Sequence, residues 1–233
     1  SYDLLVKVHP EDSNTVCIGG TNLWRSTDGF TTRNNTMIIG GYSIGSSEGD
    51  GNWGVYKNHH PDQHDLLFYP SNSNIILSAT DGGVYKSYDT FADTVEWVSL
   101  NNGYYTSQLY AVSISRNANS NVMHGGFQDN GNFVTFNNSV TSHWNMPFNG
   151  DGAYGAIADN EEDFYLSIQR GVMYKMKLDT NGNRVAFNRM DPASIDSNDY
   201  LFINPLVMDN NQDIIYLSAS NKLWRNNDVE NIP

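Results

Sequence analysis

The feature that most limits what this chain can fold into is a short unit that recurs five times. Each copy starts with an apolar or alternating run and passes through an Asn/Asp-rich turn into a run containing β-branched residues. A Gly/Asn turn then leads to an aromatic-basic run. In the first copy these pieces are 4–8, the turn 11–14, 15–19 and 23–26. In the second they are 66–69, 71–74, 75–79 and 84–87. The third uses 109–114, 117–119, 121–125 and 133–136, and the fourth 153–158, 159–162, 164–168 and 173–175. The fifth uses 202–208, 209–212, 214–218 and 223–225. With Trp24, Tyr85, Val134, Tyr174 and Trp224 taken as equivalent, the intervals are 61, 49, 40 and 50 residues.

A period of roughly 40 to 50 residues built only of short strands and turns is the signature of β-propeller blades. No helical 3.6-residue pattern survives for more than a turn or two. The expected fold is therefore all-β: four-stranded antiparallel blades, about five of them visible. The long first interval reflects an insertion at 33–59, Gly-rich and read as an irregular loop. One repeated unit argues for a single domain over 1–233. The chain stops after a third strand, so the reading is a fragment of a larger propeller of seven or more blades, within a multidomain protein.

Composition removes whole classes of function. The net charge is −13 with only 13 Lys and Arg, and no basic cluster occurs, which argues against nucleic acid and against an anionic membrane surface. No run of 18 apolar residues exists, so no helix inserts into a bilayer. The single cysteine, Cys17, lies in an apolar segment and reads as a buried thiol.

The richest stretch chemically is His59-His60-Pro61-Asp62-Gln63-His64-Asp65. If His60, Asp62 and His64 lie in extended chain, their side chains share one side. Such a row suits a cation, a polar ligand or proton transfer, and equally a hydrogen-bonded polar network.

In a blade, the loops leading into strand one and those joining strands two and three open on one face. That rule gathers five stretches on one rim: 60–64, the Asp81-Gly82-Gly83 turn, 104–108 with Tyr104, Tyr105 and Gln108, the 126–131 turn with Gln128, Asp129 and Asn130, and 149–152 with Asp151. Singly, each is ordinary turn chemistry or an aromatic packing pair. Their convergence on one rim marks the expected site.

After two of the third strands comes a second motif, Ser26-Thr27-Asp28-Gly29-Phe30-Thr31-Thr32 and Ser87-Tyr88-Asp89-Thr90-Phe91. It resembles the Asp-box of bacterial-neuraminidase-type (BNR) repeats, degraded by Phe30 at the second Gly position and Arg33 in place of the Trp. Asp28 and Asp89 are expected to cap turns and to carry no chemistry. The order His-x-Asp-x-His, Asp-Gly-Gly-Val-Tyr, Gly-Gly-x-Gln-Asp-Asn-Gly and Gly-Asp-Gly resembles secreted bacterial propeller proteins, related to sortilin-type and xyloglucanase-type propellers. The likeness covers about residues 55–155. It implies a secreted or cell-surface protein, often type IX secretion cargo, and a site at His60, Asp62, His64, Gln128, Asp129, Asn130 and Asp151.

Two function classes follow. In the first, the rim binds a cation, glycan or protein: His60, Asp62, His64 and Asp129 hold a divalent cation such as zinc or calcium, and Gln63, Asp81, Tyr104, Tyr105, Gln108, Gln128, Asn130 and Asp151 contact the ligand. In the second, the chain is a glycoside hydrolase drawing an acid/base pair from Asp62, Asp81, Asp129 and Asp151. A rim with Asp but no Glu, and no Arg-Ile-Pro segment before the Asp-boxes, weighs against hydrolysis and against a sialidase. A purely structural arc of a larger adhesin or enzyme is the third possibility. The binding module is the favoured reading.

Overall fold

The computed structural model describes residues 3–43, 54–103, 106–209 and 214–232. The chain forms two compact units, Ser1–Thr106 and Ser107–Pro233. Both are all-β; the helical pieces among the described residues are single 3-10 turns at Gln169–Gly171 and Ser197–Asp199. No helix among the described residues is long and apolar enough to cross a membrane.

The first unit holds two antiparallel sheets whose strands run in sequence order. Sheet one comprises β1 (Leu5–His9), β2 (Asp12–Gly19), β3 (Leu23–Ser26) and β4 (Thr36–Gly40). Sheet two comprises β5 (Gln63–Tyr69), β6 (Asn72–Thr80), β7 (Gly83–Ser87) and β8 (Val98–Ser99). The segment at 33–59 set aside as an irregular insertion thus contains the fourth strand of sheet one. Thr-Met-Ile-Ile is β-favouring but too short to announce itself; pairing of Ile38 with Trp24 and Met37 with Arg25 selects it. Residues 44–53, the glycine-rich centre of that segment, lie outside the described residues.

The repeat is visible in the register. Val6 pairs with Ile18 and Ile18 with Trp24; Leu66 likewise pairs with Ser78 and Ser78 with Tyr85. Alternation places Leu5, Cys17 and Leu23 on the other face of sheet one, where with Ile39 they pack against Leu66, Ile76, Tyr85, Val95 and Trp97. Leu23, Ile39 and Ile76 are fully buried, each worth about 1.5–3 kcal/mol of transfer from water. The Cys17 thiol lies in this core, and burial pushes its pKa up to about 12. Arg25 joins the two sheets: it is buried, donates to the carbonyls of Thr90 and Ala92, and its guanidinium lies 5.9 Å from the Phe91 ring centroid.

The second unit holds sheet three, β9 (Leu109–Ile114), β10 (Met123–Phe127), β11 (Gly131–Thr135) and β12 (Asn145–Phe148), and sheet four, β13 (Gly155–Ile157), β14 (Asp163–Ser167), β15 (Met173–Leu178) and β16 (Arg184–Arg189). Sheet five has three strands among the described residues, β17 (Leu206–Asp209), β18 (Ile214–Ala219) and β19 (Lys222–Asn226). Val134 and Phe148 pack with Ile157, Phe164 and Met176 between sheets three and four, while Tyr165 and Met173 pack with Leu206, Ile215 and Leu217 between sheets four and five. Val134 therefore faces the following sheet, whereas Tyr85, Tyr174 and Trp224 face the preceding one. Phe133, not Val134, holds the repeat position; a one-residue slip in a strand exchanges its faces.

Candidate functional site

In the first unit the site is built where β5 begins. The backbone does not run extended through the His-x-Asp-x-His row. Residues 61–62 form a bend, and Asp62 adopts φ +61°, outside the strand region. The turn between β2 and β3 sets that bend: the Asp62 and Gln63 N–H groups donate to the carbonyls of Thr21 (2.9 Å) and Gly20 (2.8 Å). Strand β5 starts only at Gln63, so His60, Asp62 and His64 do not share one strand face as the spacing predicts. The Asp81 N–H donates to the Asp62 carbonyl at 3.2 Å, bringing the β6–β7 turn onto the same bend.

The chemistry gathers around His64 rather than around the whole row. Its Nε2 is hydrogen-bonded to the Asp81 carboxylate, and its Nδ1 lies 3.7 Å from Asp3 Oδ1. Asp3, His64 and Asp81 each offer a donor atom within 4.8 Å of the others. The Asp3 oxygen is buried and has no hydrogen-bond partner. Burial, then the charge of Asp81, raises the Asp3 pKa; burial, then Asp81 and Asp3, raises that of Asp62. The hydrogen bond that its ring N–H donates to Asp81 raises that of His64. Burial first, and the repulsion among these carboxylates second, make Asp3 and Asp62 reluctant to ionise.

The other predicted residues of this unit have different work. The His60 side chain lies against Gly82, in the space a Cβ there would need, with Nδ1 3.0 Å from the Pro61 carbonyl. Gln63 is fully buried; its amide donates to the His60 carbonyl (3.0 Å) and accepts from Ser78 (3.2 Å), which makes it a packing residue. His59 is buried between Tyr85 and Trp97. Tyr104 and Tyr105 lie outside the described residues.

In the second unit the 126–131 turn and residues 149–152 interlock through their backbones. Gly131 N–H donates to Gly150 O (2.8 Å), Gly152 N–H to Phe127 O (2.9 Å), and Asp129 N–H to Asp151 Oδ1 (3.0 Å). Asp151 thereby caps the turn, and its own N–H donates to Gln169 Oε1 at 2.9 Å. Asn130 Nδ2 donates to the Gln128 carbonyl at 2.9 Å, and the Gln128 N–H to the carbonyl of the exposed Gln108 at 2.9 Å. So Asp129 and Asp151 are brought together as sequence order predicts, but through a backbone amide. The Tyr110 hydroxyl stands in their field: burial, then Asp151 and Asp129, raises its pKa.

Two residues escaped the sequence reading. Asp3 leads into the first strand of its sheet as residues 60–64 do in the next, so the same placement rule, applied to the first repeat, would have found it. Tyr110 sits inside β9, where alternation alone gives no sign of a neighbouring acid pair.

The Asp28 carboxylate accepts from Ser26 Oγ (2.8 Å), the N–H groups of Thr31 (3.2 Å) and Thr32 (3.0 Å), Thr32 Oγ1 (2.6 Å) and Asn35 Nδ2 (3.0 Å). Asp89 accepts from the Phe91 N–H at 2.9 Å. Both are turn caps. No model of a known protein family matches the chain, and no curated protein matches it.

Proposed function

We propose that this chain is a β-propeller-type binding module of an exported protein, and that its first unit carries a divalent-cation site formed by Asp3, His64 and Asp81. One observation carries this reading. Donor atoms from three separated segments converge within 4.8 Å, one of them a buried carboxylate oxygen that accepts no hydrogen bond. A divalent ion would offset the carboxylate repulsion that, after burial, raises the Asp3 and Asp62 pKa values. One imidazole with two carboxylates suits zinc or another first-row ion better than calcium, which prefers oxygen alone. The propeller reading is supported by the shared register of successive sheets; export is supported only by the sequence resemblance.

Hydrolysis is the weaker reading, because Asp151 is committed to capping a turn. What favours it is Asp62, half-buried with a raised pKa, the property of a proton donor.

Metal analysis of protein purified without chelator tests the proposal. About one first-row ion per chain is expected, with EDTA lowering Tm. Asp81→Asn and His64→Gln should abolish uptake, and His60→Ala should keep it. Uptake should weaken as pH falls, because protons compete for His64. Metal-free wild-type protein whose Tm ignores both EDTA and added zinc would leave a hydrogen-bonded network as the correct description.

A further inference from the structure

The chain contains four Asn-Gly pairs, beginning at Asn102, Asn130, Asn149 and Asn181. An asparagine amide carbon is a slow electrophile toward the backbone nitrogen that follows it, which makes asparagine thermolabile. A following glycine leaves that nitrogen unshielded by any side chain. What separates the four pairs is where the fold holds the glycine N–H.

At two of them it is held by a distant carbonyl. Gly131 N–H donates to the Gly150 carbonyl at 2.8 Å, and Gly182 N–H to the Asp179 carbonyl at 2.9 Å. The Asn130 amide is tied down as well, donating to the Gln128 carbonyl at 2.9 Å. Gly103 N–H has no hydrogen bond among the described residues and Gly103 stands in open space, so Asn102 resembles a residue of a flexible peptide.

Asn149, the residue after β12, is arranged differently. It is half-buried, and its own Oδ1 accepts the Gly150 N–H at 2.8 Å. Cγ is bonded to that oxygen, so it lies no more than about 1.2 Å further from the nitrogen. The Gly150 peptide is pinned on both sides. Its carbonyl accepts the Gly131 N–H, and the next N–H, that of Asp151, donates to Gln169 Oε1 at 2.9 Å. Gly150 also has φ +114°, which a side chain would resist.

We propose that Asn149 is a self-modification site, converted by the folded chain to an acid with water as the co-reactant. Hydroxide takes the Gly150 amide proton, and the nitrogen attacks Asn149 Cγ. The N–Cγ bond forms as Cγ–Nδ2 breaks, and Nδ2 leaves as ammonia, its third hydrogen coming from water, which regenerates hydroxide. Water then opens the succinimide at either carbonyl, giving aspartate or isoaspartate. Both products add a carboxylate to the stretch that carries Asp151 and meets Asp129. Positioning by the fold, rather than the dipeptide alone, sets the rate.

The whole protein, incubated at mildly alkaline pH in buffer and in concentrated urea, tests this by peptide-mapping mass spectrometry at all four pairs. In the folded protein Asn149 should convert at least about tenfold faster than Asn130 and Asn181, and faster than Asn102. Urea should bring the four rates together. Ammonia release should fall in Asn149→Ser by the share assigned to this site. Conversion of Asn149 no faster than at Asn130 and Asn181 overturns the proposal. So does an advantage that persists in urea, because local sequence would then be its cause.

Discussion

The His59 ring lies 4.2 Å from that of Trp97, centroid to centroid, while its Nδ1 accepts the Gly41 N–H at 3.1 Å. That hydrogen bond requires the neutral imidazole with its proton on Nε2, and Nε2 is buried with no partner. Burial, then the neighbouring His60, pushes the His59 pKa down to about 3. His124, whose Nε2 meets Asn132 Oδ1 at 2.8 Å, is pushed down by burial to about 4.

These two histidines set an acid limit on stability. Their folded pKa values lie below the unfolded value of about 6.5. The stability they contribute is therefore complete above that pH and is lost as pH falls from it. Each adds a slope of up to about 1.4 kcal/mol per pH unit. His64 has the opposite sign: its pKa is raised, so its contribution is already complete in this range and is lost only at higher pH. Urea midpoints measured from pH 6.5 to 5, above the titration of most carboxylates, should fall steadily. His59→Phe should flatten that slope while lowering stability at pH 7 by about 1–2 kcal/mol through the unpaired Gly41 N–H. A slope unchanged in the variant would show that His59 is not held neutral.

Asp28→Ala should destabilise the first unit without touching the proposed cation site. Five donors converge on that carboxylate, and hydrogen bonds from Thr32, Asn35 and Ser26 hold its pKa far below the usual range. A fall in Tm of a few degrees is expected, with metal content unchanged. Loss of metal with Tm intact would place Asp28 in the binding chemistry instead.

The interlocked turns of the second unit depend on two glycines. A Cβ on Gly126 would collide with the Ala153 carbonyl, and one on Gly152 with the Gly131 carbonyl; both obstacles are backbone and cannot rotate away. Gly126→Ala and Gly152→Ala should each cost about 2 kcal/mol or more in urea unfolding. Gly103→Asn is the control. Gly103 has φ +78° with nothing within 4 Å, a conformation that asparagine tolerates, so a small change is expected there.

By itself the sequence determined the first three strands of each sheet and their grouping, because period-two alternation and Asn/Gly turns are written locally. Within each sheet neighbouring strands are consecutive, so local signals sufficed for order and pairing. It also placed Asp28 and Asp89 in capped turns, since an Asx turn closes within a few residues. Tertiary structure decided what depends on distant backbone. Strand β4 exists because Ile38 finds Trp24. The His-x-Asp-x-His row loses its single face because Thr21 and Gly20 accept hydrogen bonds that hold Asp62 at positive φ. Asp3 joins His64 across 61 residues of chain, a proximity that no local pattern encodes.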